Sequence, residues 1–163
     1  VTENQGYEGF NHRRSIFFVD RKWFVIVDEA HGPASGTVNL NYQMPMGEIV
    51  FNTGNMTATT DFKDGSNMIL KCFAPENTEM AISDGWHSPA YRTKLERKKI
   101  SFNTAKADGE VTRYITVIVP KDEPGDDLKI TASFISKAFS QNSLSIQVKV
   151  GKDRKHKLGY ELK

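Results

Sequence analysis

The sequence predicts an all-β protein: an antiparallel β-sandwich of many short strands, with no substantial helix. Three observations carry that expectation. Apolar and polar residues alternate along several segments, no segment shows a helical apolar stripe, and turn dipeptides recur between the segments.

Taken in order, the first two strands fall at residues 15–19 (SIFFV) and 23–27 (WFVIV), joined at Asp20-Arg21-Lys22. A turn at Gly32-Pro33 follows. Val38, Leu40, Tyr42 and Met44 then alternate with Thr37, Asn39, Asn41 and Gln43, which marks a third strand. Further strands are expected over 48–52, 56–60, 67–73, 80–83, 91–102, 112–119, 128–136, 144–150 and 155–162. The β-branched run 112–119 (TRYITVIV) stops at Pro120, which has no amide for a ladder, and 120–127 reads as a long breaker. Asp64-Gly65, Asp84-Gly85 and Asp108-Gly109 read as hairpin or loop signals. With no repeat, low-complexity tract or internal linker, residues 1–163 read as a single β-sandwich domain.

The first two strands are apolar on both faces. A strand with one face in water alternates, so something must cover the second face. Another sheet, a long loop or a neighbouring domain would each do so.

Composition narrows the function classes. Net charge is +2 and the sequence pI is near 8.6, below the range of a generic nucleic-acid binder, so no nucleic-acid partner is expected. No apolar run approaches the roughly 20 residues of a membrane-spanning helix, so no membrane partner is expected either. Cys72, the only thiol, cannot form an internal disulfide and reads as a buried small hydrophobe, which fits a bacterial cytoplasm or periplasm. A chain opening on Val1 without an apolar signal segment is expected to be a piece of something longer.

The four histidines, His12, His31, His87 and His156, lack metal-ligand spacing, and no metal or cofactor site is expected within the chain. There is no nucleophile elbow, phosphate-cradling loop or dinucleotide fingerprint, so no complete catalytic constellation is expected either. Two cationic clusters are binding candidates. His12-Arg13-Arg14 at the mouth of the first strand would meet an acidic ligand or pair with Asp28 or Glu29. Tyr91 to Lys99 (YRTKLERKK) would set Arg92, Lys94 and Lys98 on one strand face, gripping sulfates or carboxylates or else guarding an exposed edge. Asp28 and Glu29, being adjacent, face opposite ways and cannot act together as an acid/base pair.

His12-x-Arg14, then Val19-Asp20-x-x-Trp23-Phe24-Val25-Ile26-Val27-Asp28-Glu29-Ala30, resembles the β-sandwich domain of the heparinase II/III family of polysaccharide lyases. Gly32-x-x-x-Gly36-Thr37-Val38-Asn39-Leu40, Trp86-x-Ser88-x-x-Tyr91 and Val117-Ile118-Val119-Pro120 agree in order, with the heparan-sulfate-type lyases nearest. The resemblance implies a parent enzyme with an N-terminal α/α-toroid that cleaves an acidic, uronic-acid-containing glycosaminoglycan by β-elimination. It implies that this chain is the C-terminal portion, without catalytic residues of its own. The catalytic histidine and any divalent-metal ligands of the sandwich would then lie upstream of Val1. Substrate contacts within the chain would come from Tyr91, Arg92, Lys94, Lys98, His12 and Arg13. A non-catalytic carbohydrate-binding or structural sandwich is the competing expectation. A periplasmic or secreted location is also implied.

Overall fold

The computed structural model describes residues 1–121 and 128–162, and every regular element among them is a strand. In chain order these are β1 (Thr2–Tyr7), β2 (Phe10–Val19), β3 (Trp23–His31), β4 (Gly36–Gln43), β5 (Ile49–Asn52), β6 (Thr57–Thr60) and β7 (Asn67–Phe73). β8 (Thr78–His87), β9 (Leu95–Lys106), β10 (Thr112–Lys121), β11 (Ile130–Phe134), β12 (Ser143–Val150) and β13 (His156–Glu161) complete the set.

They form three antiparallel sheets: a seven-stranded one ordered β1-β2-β3-β10-β7-β6-β5, and two three-stranded ones ordered β4-β9-β8 and β11-β12-β13. The large sheet is the shared middle layer. On one face Val25, Val27, Ile115 and Val117 pack with Ile146 and Val148 of β12. On the other, Leu70, Cys72 and Tyr114 pack with Leu40, Ile100 and Phe102 of the β4-β9-β8 sheet. The Tyr114 hydroxyl donates to Thr104 Oγ1 at 2.7 Å across that layer, satisfying a buried group whose loss would cost about 1–3 kcal/mol. The β11-β12-β13 sheet thus covers one face of the doubly apolar strands, at Val19, Trp23, Val25 and Val27, whereas the β4-β9-β8 sheet covers β7 and β10 and leaves Ile16, Phe18 and Phe24 on the other face exposed.

Local chemistry explains the connections. Asp20 and Arg21 both take positive φ in the β2–β3 turn, closed by Lys22 N–H to the Val19 carbonyl at 2.9 Å. The Gly32-Pro33 bend is pinned by buried Lys106 of β9, which is distant in sequence but lies opposite Gly36 and donates from its Nζ to the carbonyls of Gly32 (2.7 Å) and Ala34 (2.6 Å). Gly65 and Gly109 take positive φ in the expected turns before β7 and β10.

Four expectations change. β1, a polar edge strand, escaped the sequence pattern because it pairs only with the first half of β2. Asp84-Gly85 is no turn: β8 runs through it, Gly85 opposite Arg97, with the Gln43 amide occupying the space a side chain would fill. β10 does not stop at Pro120 but includes it opposite Met68, beyond the last residue paired with β3, where no second ladder needs its amide. The expected strand over 91–102 begins only at Leu95. The breaker expected at 120–127 lies, from residue 122 on, outside the described residues.

Candidate functional site

The six candidate contact residues fall in two separate places. His12 and Arg13 lie on β2, and Tyr91, Arg92, Lys94 and Lys98 belong to the β8–β9 hairpin.

The β2 cluster is largely turned inward. Arg13 and Arg14 point to opposite faces of the large sheet, and each meets a different carboxylate. On one face Asp28, buried on β3, receives Arg14 Nε at 2.7 Å and Arg14 Nη2 at 3.2 Å, with His12 Nε2 2.6 Å from its Oδ1. On the other face buried Arg13 donates to Glu3 Oε2 at 2.8 Å and to the Ser140 carbonyl at 3.0 Å, and lies over the Phe139 ring. Glu29, fully buried, takes a hydrogen bond from Arg113 Nε at 3.0 Å and has Arg13 Nη1 at 4.0 Å. Burial raises the Glu29 carboxyl above its ordinary pKa, although Arg113 and Arg13 both pull it down. Burial alone would lower Arg13, but its hydrogen bond with Glu3 helps to hold it above its ordinary value. Arg13 is thus a cross-brace holding β1 and the Phe139–Gln141 segment onto the sheet, with its side chain buried.

His12 is different. It lines an open cleft of about 560 Å³ between the β2–β3 end of the large sheet and β4, with Tyr7, Phe10, Asp28, Asn39 and Asn41. Tyr7, 66% exposed at the mouth, meets Phe10 edge-on at 6.1 Å. A ring beside amides and a His–Asp pair suits sugar hydroxyls. Nothing in the sequence marks Tyr7, Asn39 and Asn41 as site residues, because no local pattern shows that β4 lies across β2.

The hairpin faces outward. β4 pairs with β9 only from Lys99 to Lys106, whereas β8 follows β9 to Leu95, so 84–87 and 95–98 extend past the β4 ladder as a two-stranded ribbon. Tyr91 and Arg92 sit in the connecting turn, Arg92 at φ 61°, and Lys94 also precedes β9, so Arg92, Lys94 and Lys98 do not form the expected row on one strand face. Two of its cations lie over aromatic rings. Lys94 Nζ lies 3.6 Å from the centroid of the half-exposed Trp86 ring, and the Arg92 guanidinium lies 5.2 Å from that of Tyr91, which is 87% exposed. Lys98 pairs with Asp84 at 2.6 Å, both side chains exposed, and that hydrogen bond raises its pKa. Trp86 is the partner that the spacing of the cations alone did not reveal.

A larger hollow of about 740 Å³ between β5–β7 and 128–130 presents Lys71, Lys121 and Lys129 but no aromatic ring among its described lining residues. No group of three His, Cys, Asp or Glu side chains among the described residues is placed to hold a metal ion.

Three antiparallel layers define the class: an all-β sandwich domain. The chain belongs to the heparinase II/III-like C-terminal family, which matches residues 1–148. A heparin-sulfate lyase of Bacteroides stercoris is 48% identical over 162 residues, 99% of this chain and 24% of that protein. Another, from Bacteroides thetaiotaomicron, is 38% identical over 173 residues, again 99% of this chain and 24% of the relative. A solved heparinase III structure is similar at a TM-score of 0.94 and 50% identity, over 98% of this chain and 25% of its own. The chain spans about a quarter of the length of these relatives and corresponds to their C-terminal domain.

Proposed function

We propose that this chain is the C-terminal sandwich of a lyase that cleaves heparin or heparan sulfate by β-elimination. The catalytic base and acid lie in the remainder of that enzyme. What supports this reading is near-full-length similarity to heparin-sulfate lyases about four times longer. The domain's own part is to hold acidic polysaccharide: Trp86 and Tyr91 offer rings, Arg92, Lys94 and Lys98 offer cations to sulfate and uronate groups, and His12 lines a second cleft. Arg13, buried and paired, is left out of that role.

In this reading the toroid is an N-terminal partner within the same polypeptide. The divalent metal implied by the family resemblance is held by residues upstream of Val1, and the protein works in the periplasm. An absorbance assay for unsaturated product on heparan sulfate tests it. The isolated chain should show no turnover, and the longer gene product should show turnover. Turnover by the chain alone would refute the placement of the catalytic groups.

The second reading, a non-catalytic carbohydrate-binding sandwich, draws on the exposed rings of the ribbon. Titration with heparin oligosaccharides at two salt concentrations addresses it. Absence of binding at low salt would eliminate it.

A further inference from the structure

The large sheet carries one apolar block that neither flanking sheet covers. Ile16 and Phe18 on β2 pair with Ile26 and Phe24 on β3, all four on one face. Ile16 is 59%, Phe18 56% and Phe24 40% exposed, and the two phenyl rings stack at 4.5 Å. The β2 edge beside this block is also open. β1 pairs with β2 only as far as Thr2 opposite Arg14, so among the described residues no strand lies along residues 15–19 on the side away from β3. That stretch, SIFFV, contains no lysine, proline or other guard of the kind that keeps an exposed edge from pairing. An unguarded, exposed apolar edge calls for a permanent cover.

The register says what would fit. β1 runs antiparallel to β2, so residues leading into Val1 would fall opposite Ile16, then Phe17, then Phe18. The relatives have about three quarters of their length outside the matched region. We propose that the polypeptide leading into β1 in the longer enzyme continues that strand along β2 to Val19 and packs over Ile16, Phe18 and Phe24. This rests on the reading of the chain as the C-terminal domain of a larger lyase.

Phe18→Cys provides the test, with Cys72 as a slow internal reference: it is 3% exposed and its thiol is pushed up to about 12 by burial. Thiol labelling mapped by peptide mass should be fast in the isolated chain and at least about tenfold slower in the longer gene product. Hydrogen exchange at the Ile16 and Phe18 amides of the unsubstituted proteins should show the same contrast, whether or not the variant folds. Equal labelling and equal exchange in the two proteins would overturn the proposal. Protection in the isolated chain that grows with its concentration would assign the block to a second copy, and so overturn it too. A lyase assay on the same longer product separates the two ideas. Turnover with an open block defeats only the docking proposal, whereas a covered block without turnover defeats only the lyase reading.

Discussion

His12-Arg13-Arg14 on β2 and Arg92, Lys94 and Lys98 of the β8–β9 hairpin are both compact sets of cations, and they serve opposite ends. The first set lies across from Asp28 and Glu29 on the neighbouring β3, and its arginines are neutralised within the fold. The second lies on a ribbon that outruns its neighbour β4, where the nearest partners are aromatic faces and one exposed aspartate. Cation content does not decide whether a segment binds an anion. What decides it is whether the adjacent strand supplies a carboxylate and whether another layer closes over the pair.

Breaking the inward cluster should have the largest effect. Arg13→Ala removes the donor to Glu3 and Ser140 and the charge nearest the orphaned Glu29 Oε2, and should cost about 3–5 kcal/mol in urea unfolding. A stability loss below about 1 kcal/mol would mean that the cross-brace is ornamental.

The same cluster should also titrate. The Glu29 pKa is raised in the fold above its ordinary 4.5, so the folded protein holds that proton over a range where the unfolded chain has released it. Its contribution is therefore fully present below pH 4.5 and is lost as pH rises through the folded-state value, at no more than about 1.4 kcal/mol per pH unit. Glu29→Gln should flatten the dependence of unfolding free energy on pH in that window. An unchanged slope would exclude Glu29 as its source.

The outward cluster should respond in binding and leave folding alone. Trp86→Ala should weaken heparin-oligosaccharide affinity roughly two- to fivefold at low salt, the worth of an exposed cation–ring contact, with the unfolding midpoint unmoved. Smallest of all, Lys98→Gln should leave thermal stability unchanged, since its partner Asp84 is itself exposed, while making affinity less salt-sensitive. A measurable fall in stability would show the ribbon to be structural after all.

How far each cluster was legible follows from the range of the interactions. The Asp28 and Glu29 pairings were foreseeable, because β2 and β3 are consecutive strands joined by a short turn, and register carries Arg13 and Arg14 opposite them. The Lys94–Trp86 stack was not, because Asp84-Gly85 read as a turn and ended β8 too early. Asp-Gly favours turns when the chain is free to reverse there. Here the Asp84–Lys98 pair and the space that Gly85 leaves for Gln43 let the strand continue.

The sequence by itself determined the all-β class, most of the strands, the burial of Cys72 and the kinship of the chain, because alternation, turn residues and motif order are properties of neighbours along the polypeptide. Only the tertiary structure decided that one sheet serves two cores, that Arg13 is sealed away while Lys94 lies open, and that Ile16, Phe18 and Phe24 are left uncovered. Those outcomes depend on which layers meet and where each one stops, and such long-range packing leaves no local periodicity to read.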